Sequence, residues 1–123
     1  EDLYRRASIY WHAAGWGIDP EQKPAEVEHF GITIAEAMGR GAVPVVLDAG
    51  GMPEVVEDGV SGMVWDSLDG LGAKTRELAA DPRLRERMAA AARERSLRFS
   101  RPEFARRIVA VARPYVEQLA AVG

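Results

Sequence analysis

The chain has 123 residues, of which 47% are hydrophobic, with a formal net charge of −3 and no cysteine. Such a length supports one domain with one modest core, the mix of apolar and charged residues fits a globular chain, and disulfides and thiolate zinc sites are excluded. The acidic balance argues against nucleic acid or an acidic lipid surface as the main partner, and no apolar run approaches the roughly 20 residues that span a bilayer.

Leu3, Tyr4 and Ala7 recur at helical spacing, so residues 2–7 read as the end of a helix. Residues 8–12 are short, aromatic and β-prone, which predicts a strand. Residues 13–29 mix Gly, Pro, Asp, Glu and Lys with little periodicity. A long loop of this kind in a compact domain is often functional. Residues 31–40 form the next helix, with Ile34, Ala37, Met38 and Gly41 on one face. Pro44-Val45-Val46-Leu47 is a continuous apolar run, as expected of a buried parallel strand. Gly50-Gly51 turns the chain, Pro53 suits the first position of a short helix, Asp58-Gly59 turns it again, and residues 62–65 read as a last short strand.

After Asp66 the composition shifts to Ala, Leu, Arg and Glu, all strong helix formers. Helices are predicted over 68–80 and 84–98, separated by Asp81 as a cap and Pro82 at a first helical position. Ser100 and Glu103 have the spacing of a capping box before a final helix. Pro114 is expected to kink or split that helix near Arg113. Strands alternating with helices imply a parallel sheet with right-handed crossovers. The predicted class is α/β, Rossmann-like, with residues 67–123 as a helical tail of the same domain. The chain opens on Glu1 and not on Met. It reads as an excerpt from a longer protein with further strands upstream, without a signal peptide, in a cytoplasmic setting that is at most peripheral to a membrane.

The stretch that carries chemistry runs from Glu28 to Met38. It sets one carboxylate just before a helix start and a second, Glu36, about one turn into the helix. Gly31 allows close approach of a ligand to the backbone. The amides of Gly31, Ile32 and Thr33 point out of the helix end, where the dipole favours an anion such as a diphosphate. Carboxylates accept hydrogen bonds, and sugar hydroxyls donate them. A ligand with polyol, diphosphate and polyol in a row is a nucleotide sugar.

At this point the sequence resembles the retaining GT-B glycosyltransferases, especially family 4, whose E-x7-E spacing Glu28 and Glu36 reproduce. Glu28-x-Phe30-Gly31, Glu36-Ala37-Met38, Gly41-x-x-Pro44-Val45-Val46 and Gly50-Gly51-x-Pro53-Glu54 stand in the family's order, followed by Glu57-Asp58-Gly59-Val60-x-Gly62. The resemblance is dense over residues 8–65 and thin in the helical tail. It implies the C-terminal, donor-binding half of a GT-B enzyme, with residues 1–123 a part of that domain. It implies that Glu28 holds hydroxyls of the donor sugar and is the catalytic candidate, and that Glu36 holds the ribose hydroxyls. Phe30 and Gly31 would line the sugar pocket, while Gly31, Ile32 and Thr33 meet the diphosphate. It further implies a UDP- or GDP-linked donor, no cofactor and no metal, with the diphosphate neutralised by helix ends and basic residues from earlier strands. The acceptor (a glycan, a lipid or a small molecule) would be held by an N-terminal domain outside these residues. His29 departs from the small residue common at its position, and the loop before it is long, so the donor stays open.

Each residue also has a plainer role. Glu28, Glu36 and Glu54 are surface charges in isolation, and Gly50-Gly51 serves any strand-to-helix turn. His12 ends a strand, as ligand-facing residues of open parallel sheets do, yet a packed or solvated histidine is the more ordinary reading. Trp11, Trp16 and Trp65 read as core or loop anchors. Arg83, Arg85, Arg87, Arg93 and Arg95 read as a solvated face paired with Glu86 and Glu94, with a membrane contact left open. Two other functions fit the same architecture: a non-catalytic nucleotide-sugar-binding or assembly domain, and a sugar-nucleotide epimerase.

Overall fold

The computed structural model describes residues 2–19, 21–26 and 30–122. Helix α1 (Asp2–Arg6) leads into strand β1 (Ile9–His12), and helix α2 (Ile32–Arg40) leads into β2 (Val43–Leu47). Helix α3 (Met52–Val55) precedes β3 (Met63–Trp65), and α4 (Leu68–Ala80), α5 (Pro82–Ser96) and α6 (Arg101–Val122) complete the chain. Short 3-10 turns occupy Pro24–Glu26 and Leu97–Phe99. The three strands pair in the order β1-β2-β3, all parallel, with Ile9 opposite Val43 and Val45 opposite Met63.

All five residues of β2 are buried, because both faces of the central strand are covered. Val43, Val45 and Leu47 face a cluster with Met63, Trp65, Leu78 and Met88. Val46 faces the other side, with Ile34, Met38, Met52, Val55 and Val56. The alternation of a strand sorts these residues onto the two faces. Helix α5 serves both clusters, Met88 and Ala89 in the first and Ala92 in the second.

Caps explain where the tail helices begin and end. Ser67 Oγ accepts from the Gly70 amide at 3.1 Å, and Asp81 Oδ1 accepts from the Leu84 amide at 3.0 Å. Pro82 stands at the first helical position, so α5 starts two residues before the predicted 84 and ends two before 98. Pro53 is the second residue of α3 rather than the first, behind Gly51 as its cap.

The arginine face of α5 differs from its expected pairing with Glu86 and Glu94. Arg85 Nη1 donates to the Leu78 carbonyl at 2.8 Å, closing the end of α4. Arg95 reaches the carbonyls of Val55 at 2.7 Å and Glu54 at 2.8 Å, and its Nη1 lies 3.3 Å from Glu57. The last carbonyls of a helix lack intrahelical donors, and a long guanidinium supplies them better than it serves a solvated ion pair.

Helix α6 is continuous through Pro114, so the expected split near Arg113 does not occur. It has no buried residue among those described. The carbonyl freed by the proline therefore meets solvent, and the helix continues. The capping box is half made. The Glu103 amide donates to Ser100 Oγ at 3.4 Å, while the Glu103 carboxylate turns to Arg106 and Arg107. Those two guanidinium groups hold its pKa down to about 2.

Candidate functional site

Helix α2 links two parallel strands, so it runs back against the sheet and starts at the edge where the strands end. Ligands of open α/β sheets bind at that edge. The start of α3 lies beside it, since a Cβ on Gly31 would sit 3.2 Å from Met52 Cε. Gly31 is the N-cap of α2, one residue outside the helix that was predicted to include it. Its φ of 63° is left-handed, and a Cβ there would stand 2.7 Å from Ile34 Cδ1. The fold alone therefore requires glycine at this position, through backbone sign and packing, apart from any approach by a ligand.

No side chain caps Gly31. The first N–H groups of a helix have no intrahelical acceptor, and those of α2 open onto a surface where Ile32 is exposed. Thr33 is half-buried, and its Oγ1 accepts from Tyr10 Oη at 3.0 Å. A hydroxyl that accepts in this way keeps its own proton for another acceptor. Glu36 is exposed on α2.

Around these residues the structure assembles a tyrosine pair that sequence reading missed. The rings of Tyr4 and Tyr10 lie 5.9 Å apart. Burial first, then Tyr10 and the charge of Glu36, push the Tyr4 hydroxyl above the ordinary tyrosine range. The Glu36 carboxylate thus lies within electrostatic reach of Tyr4, and Tyr10 ties β1 to the first turn of α2. Strand alternation says only that Tyr10 faces opposite to Ile9 and Trp11, and does not say that its side faces α2.

Phe30 meets the ring of Phe99 edge-on at 5.4 Å. It lines an open cleft of about 440 Å³ with Arg98, Phe99, Arg101, Phe104 and Arg107. A second cleft of about 250 Å³ continues past Gly51 to Arg95. The helical tail therefore contributes to the surroundings of Phe30, which its composition did not indicate. Gly31, Ile32, Thr33 and Glu36 come together on α2, whereas Glu28 and His29 lie outside the described residues. His12 is buried at the end of β1. Trp65 is core, Trp16 leans on it at 5.1 Å between ring centres, and Trp11 donates to Thr75 Oγ1 at 3.0 Å. Among the described residues no group of three or more His, Cys, Asp or Glu could hold a metal ion, and no helix is long and apolar enough to cross a membrane.

Residues 1–95 match the family described as glycosyl transferases group 1. The chain belongs to this family. Alpha-maltose-1-phosphate synthase of Mycobacterium tuberculosis is 38% identical over 82 residues, covering 60% of this chain and 21% of that protein. D-inositol 3-phosphate glycosyltransferase of Xylanimonas cellulosilytica is 37% identical over 107 residues, covering 82% of this chain and 24% of that protein. Among solved structures, sucrose-phosphate synthase from Thermosynechococcus elongatus superposes with a TM-score of 0.64 at 24% identity, over 76% of this chain and 23% of that one. This likeness bears on the fold, which is the Rossmann-like C-terminal half of a GT-B domain. The chain spans about a fifth to a quarter of the length of these relatives. The group 1 match extends through α4 and most of α5, further into the tail than the dense blocks over 8–65.

Proposed function

We propose that the protein carrying this chain is a retaining glycosyltransferase of family 4, which moves a sugar from a UDP- or GDP-linked donor to an acceptor. Residues 1–123 are part of its donor-binding domain, with 67–123 as the helical tail. The supporting observation is the open start of α2 at the carboxyl edge of the sheet, with Glu36 exposed on the same helix. Free amides and the helix dipole suit a diphosphate. Glu36 accepts from the ribose hydroxyls, and Glu28 holds the donor sugar on the other side. Phe30 and Gly31 line the sugar pocket. Catalysis rests on positioning and on stabilising the leaving diphosphate, with no metal and no protein nucleophile. The acceptor, a glycan, a lipid or a small molecule, is held by another domain.

Glu36→Gln tests the ribose contact. The amide keeps the shape and loses the charge-assisted bonds, at a cost of about 1.5–3 kcal/mol. Calorimetric titration of the intact protein with UDP and with GDP should show affinity for the preferred nucleotide lowered by about tenfold or more. Unchanged affinity in the variant removes Glu36 from the site.

A further inference from the structure

Another cleft lies at the opposite edge of the sheet, where the strands begin. It has a volume of about 430 Å³ and is open to solvent, and Ser8 and Gly41 form part of its wall. Arg5 and Arg6 enter it from the last turn of α1, Arg40 from the last turn of α2, and Arg85 and Arg93 from α5. Glu86 is the one carboxylate in its lining. Leaving Arg40 aside, Arg5, Arg6, Arg85 and Arg93 stand against one carboxylate, a strong local positive excess in a chain whose net charge is −3.

Two features show that the cleft is shaped around these cations. Gly41 has φ +88°, and a Cβ there would overlap the Arg93 guanidinium, so the missing side chain lets Arg93 lie against the end of α2. Arg85 is anchored by its 2.8 Å bond to the Leu78 carbonyl, which fixes its guanidinium at the wall. The side chains of Arg5, Arg6 and Arg93 take part in no ion pair or hydrogen bond among the described residues. Like charges gathered from three helices repel one another, and a counter-anion offsets that cost. A single carboxylate would engage one guanidinium fork. A phosphate presents several oxygens and matches several forks at once.

We propose that this cleft binds a phosphate-bearing ligand. The site is separate from the start of α2 and does not depend on the function proposed for that helix. Two sources present the same chemistry: a soluble phosphorylated molecule, and the headgroup of an acidic lipid.

The test uses the intact protein at low salt. Inorganic phosphate is titrated calorimetrically into the wild type, Arg93→Gln and Arg5→Gln, with circular dichroism as the check on folding. Flotation with phosphatidylcholine vesicles, with and without phosphatidic acid, is run in parallel. Phosphate should bind saturably, about tenfold more weakly in each variant, and more weakly in high salt. The two variants lie on different helices, so misfolding of one leaves the other informative. Binding of phosphate without retention on acidic vesicles assigns a soluble ligand. Retention on phosphatidic acid that both variants lose assigns a headgroup. Absence of both kinds of binding, or binding unaffected by either substitution, would overturn the proposal.

Discussion

Glu28→Ala is expected to depress sugar transfer by the intact protein by about 10²–10³-fold while leaving nucleoside-diphosphate affinity within about threefold. The split follows from the proposed roles, in which Glu28, before α2 in sequence, holds the donor sugar and Glu36, on α2, holds the ribose. Contacts to the sugar strengthen as the bond to the leaving diphosphate breaks, and their loss falls on turnover. Contacts to the ribose are made equally before and during reaction. Steady-state kinetics with donor and acceptor, beside titration with the nucleoside diphosphate alone, separate the two. Full transfer activity in the variant would show that Glu28 does not hold the sugar.

The largest structural effect is expected from Trp65→Ala. Trp65 is 2% exposed and packs in the cluster with Val43, Val45, Leu47, Met63, Leu78 and Met88. Its Nε1 has no hydrogen-bond partner among the described residues, so the substitution removes packing and no polar contact. Truncation of a buried tryptophan costs about 3–5 kcal/mol. It also removes the surface on which Trp16 rests, loosening the loop after β1. Hydrogen exchange of the β2 amides in the intact protein should quicken by two to more than three orders of magnitude, roughly, where exchange follows the opening equilibrium. Trp65→Phe, which keeps a ring in the cluster, should recover most of the protection. Exchange quickened by less than about tenfold in the alanine variant would mean that β2 does not depend on this cluster.

Local rules placed most of the fold. The apolar run at residues 44–47 marked the central strand because a strand covered on both faces has no polar side. Helix α4 was bounded correctly at Leu68 and Ala80, since Asp81 and Pro82 give an unambiguous stop and start. The order of blocks from Glu28 to Gly62 pointed to the GT-B glycosyltransferases, and the group 1 match bears out that coarser likeness. Long-range contacts were not legible. Tyr10 meets Thr33, Trp11 meets Thr75, and Arg95 meets the end of α3, each across a separation that no local pattern encodes. Arg85 and Arg95 read as solvated because composition does not say which helix ends lack donors nearby. Pro114 read as a break because sequence does not reveal that α6 lies free of the sheet, where a lost backbone bond is met by water.

Titration of a nucleoside diphosphate into the isotopically labelled intact protein, followed at the backbone amides of Gly31, Ile32 and Thr33, tests the central claim most directly. If the start of α2 receives the diphosphate, these resonances shift together and saturate with one dissociation constant, and Glu36→Gln weakens that constant by about tenfold or more. Saturable binding that leaves all three amides unmoved, with shifts elsewhere in the protein, would contradict the account.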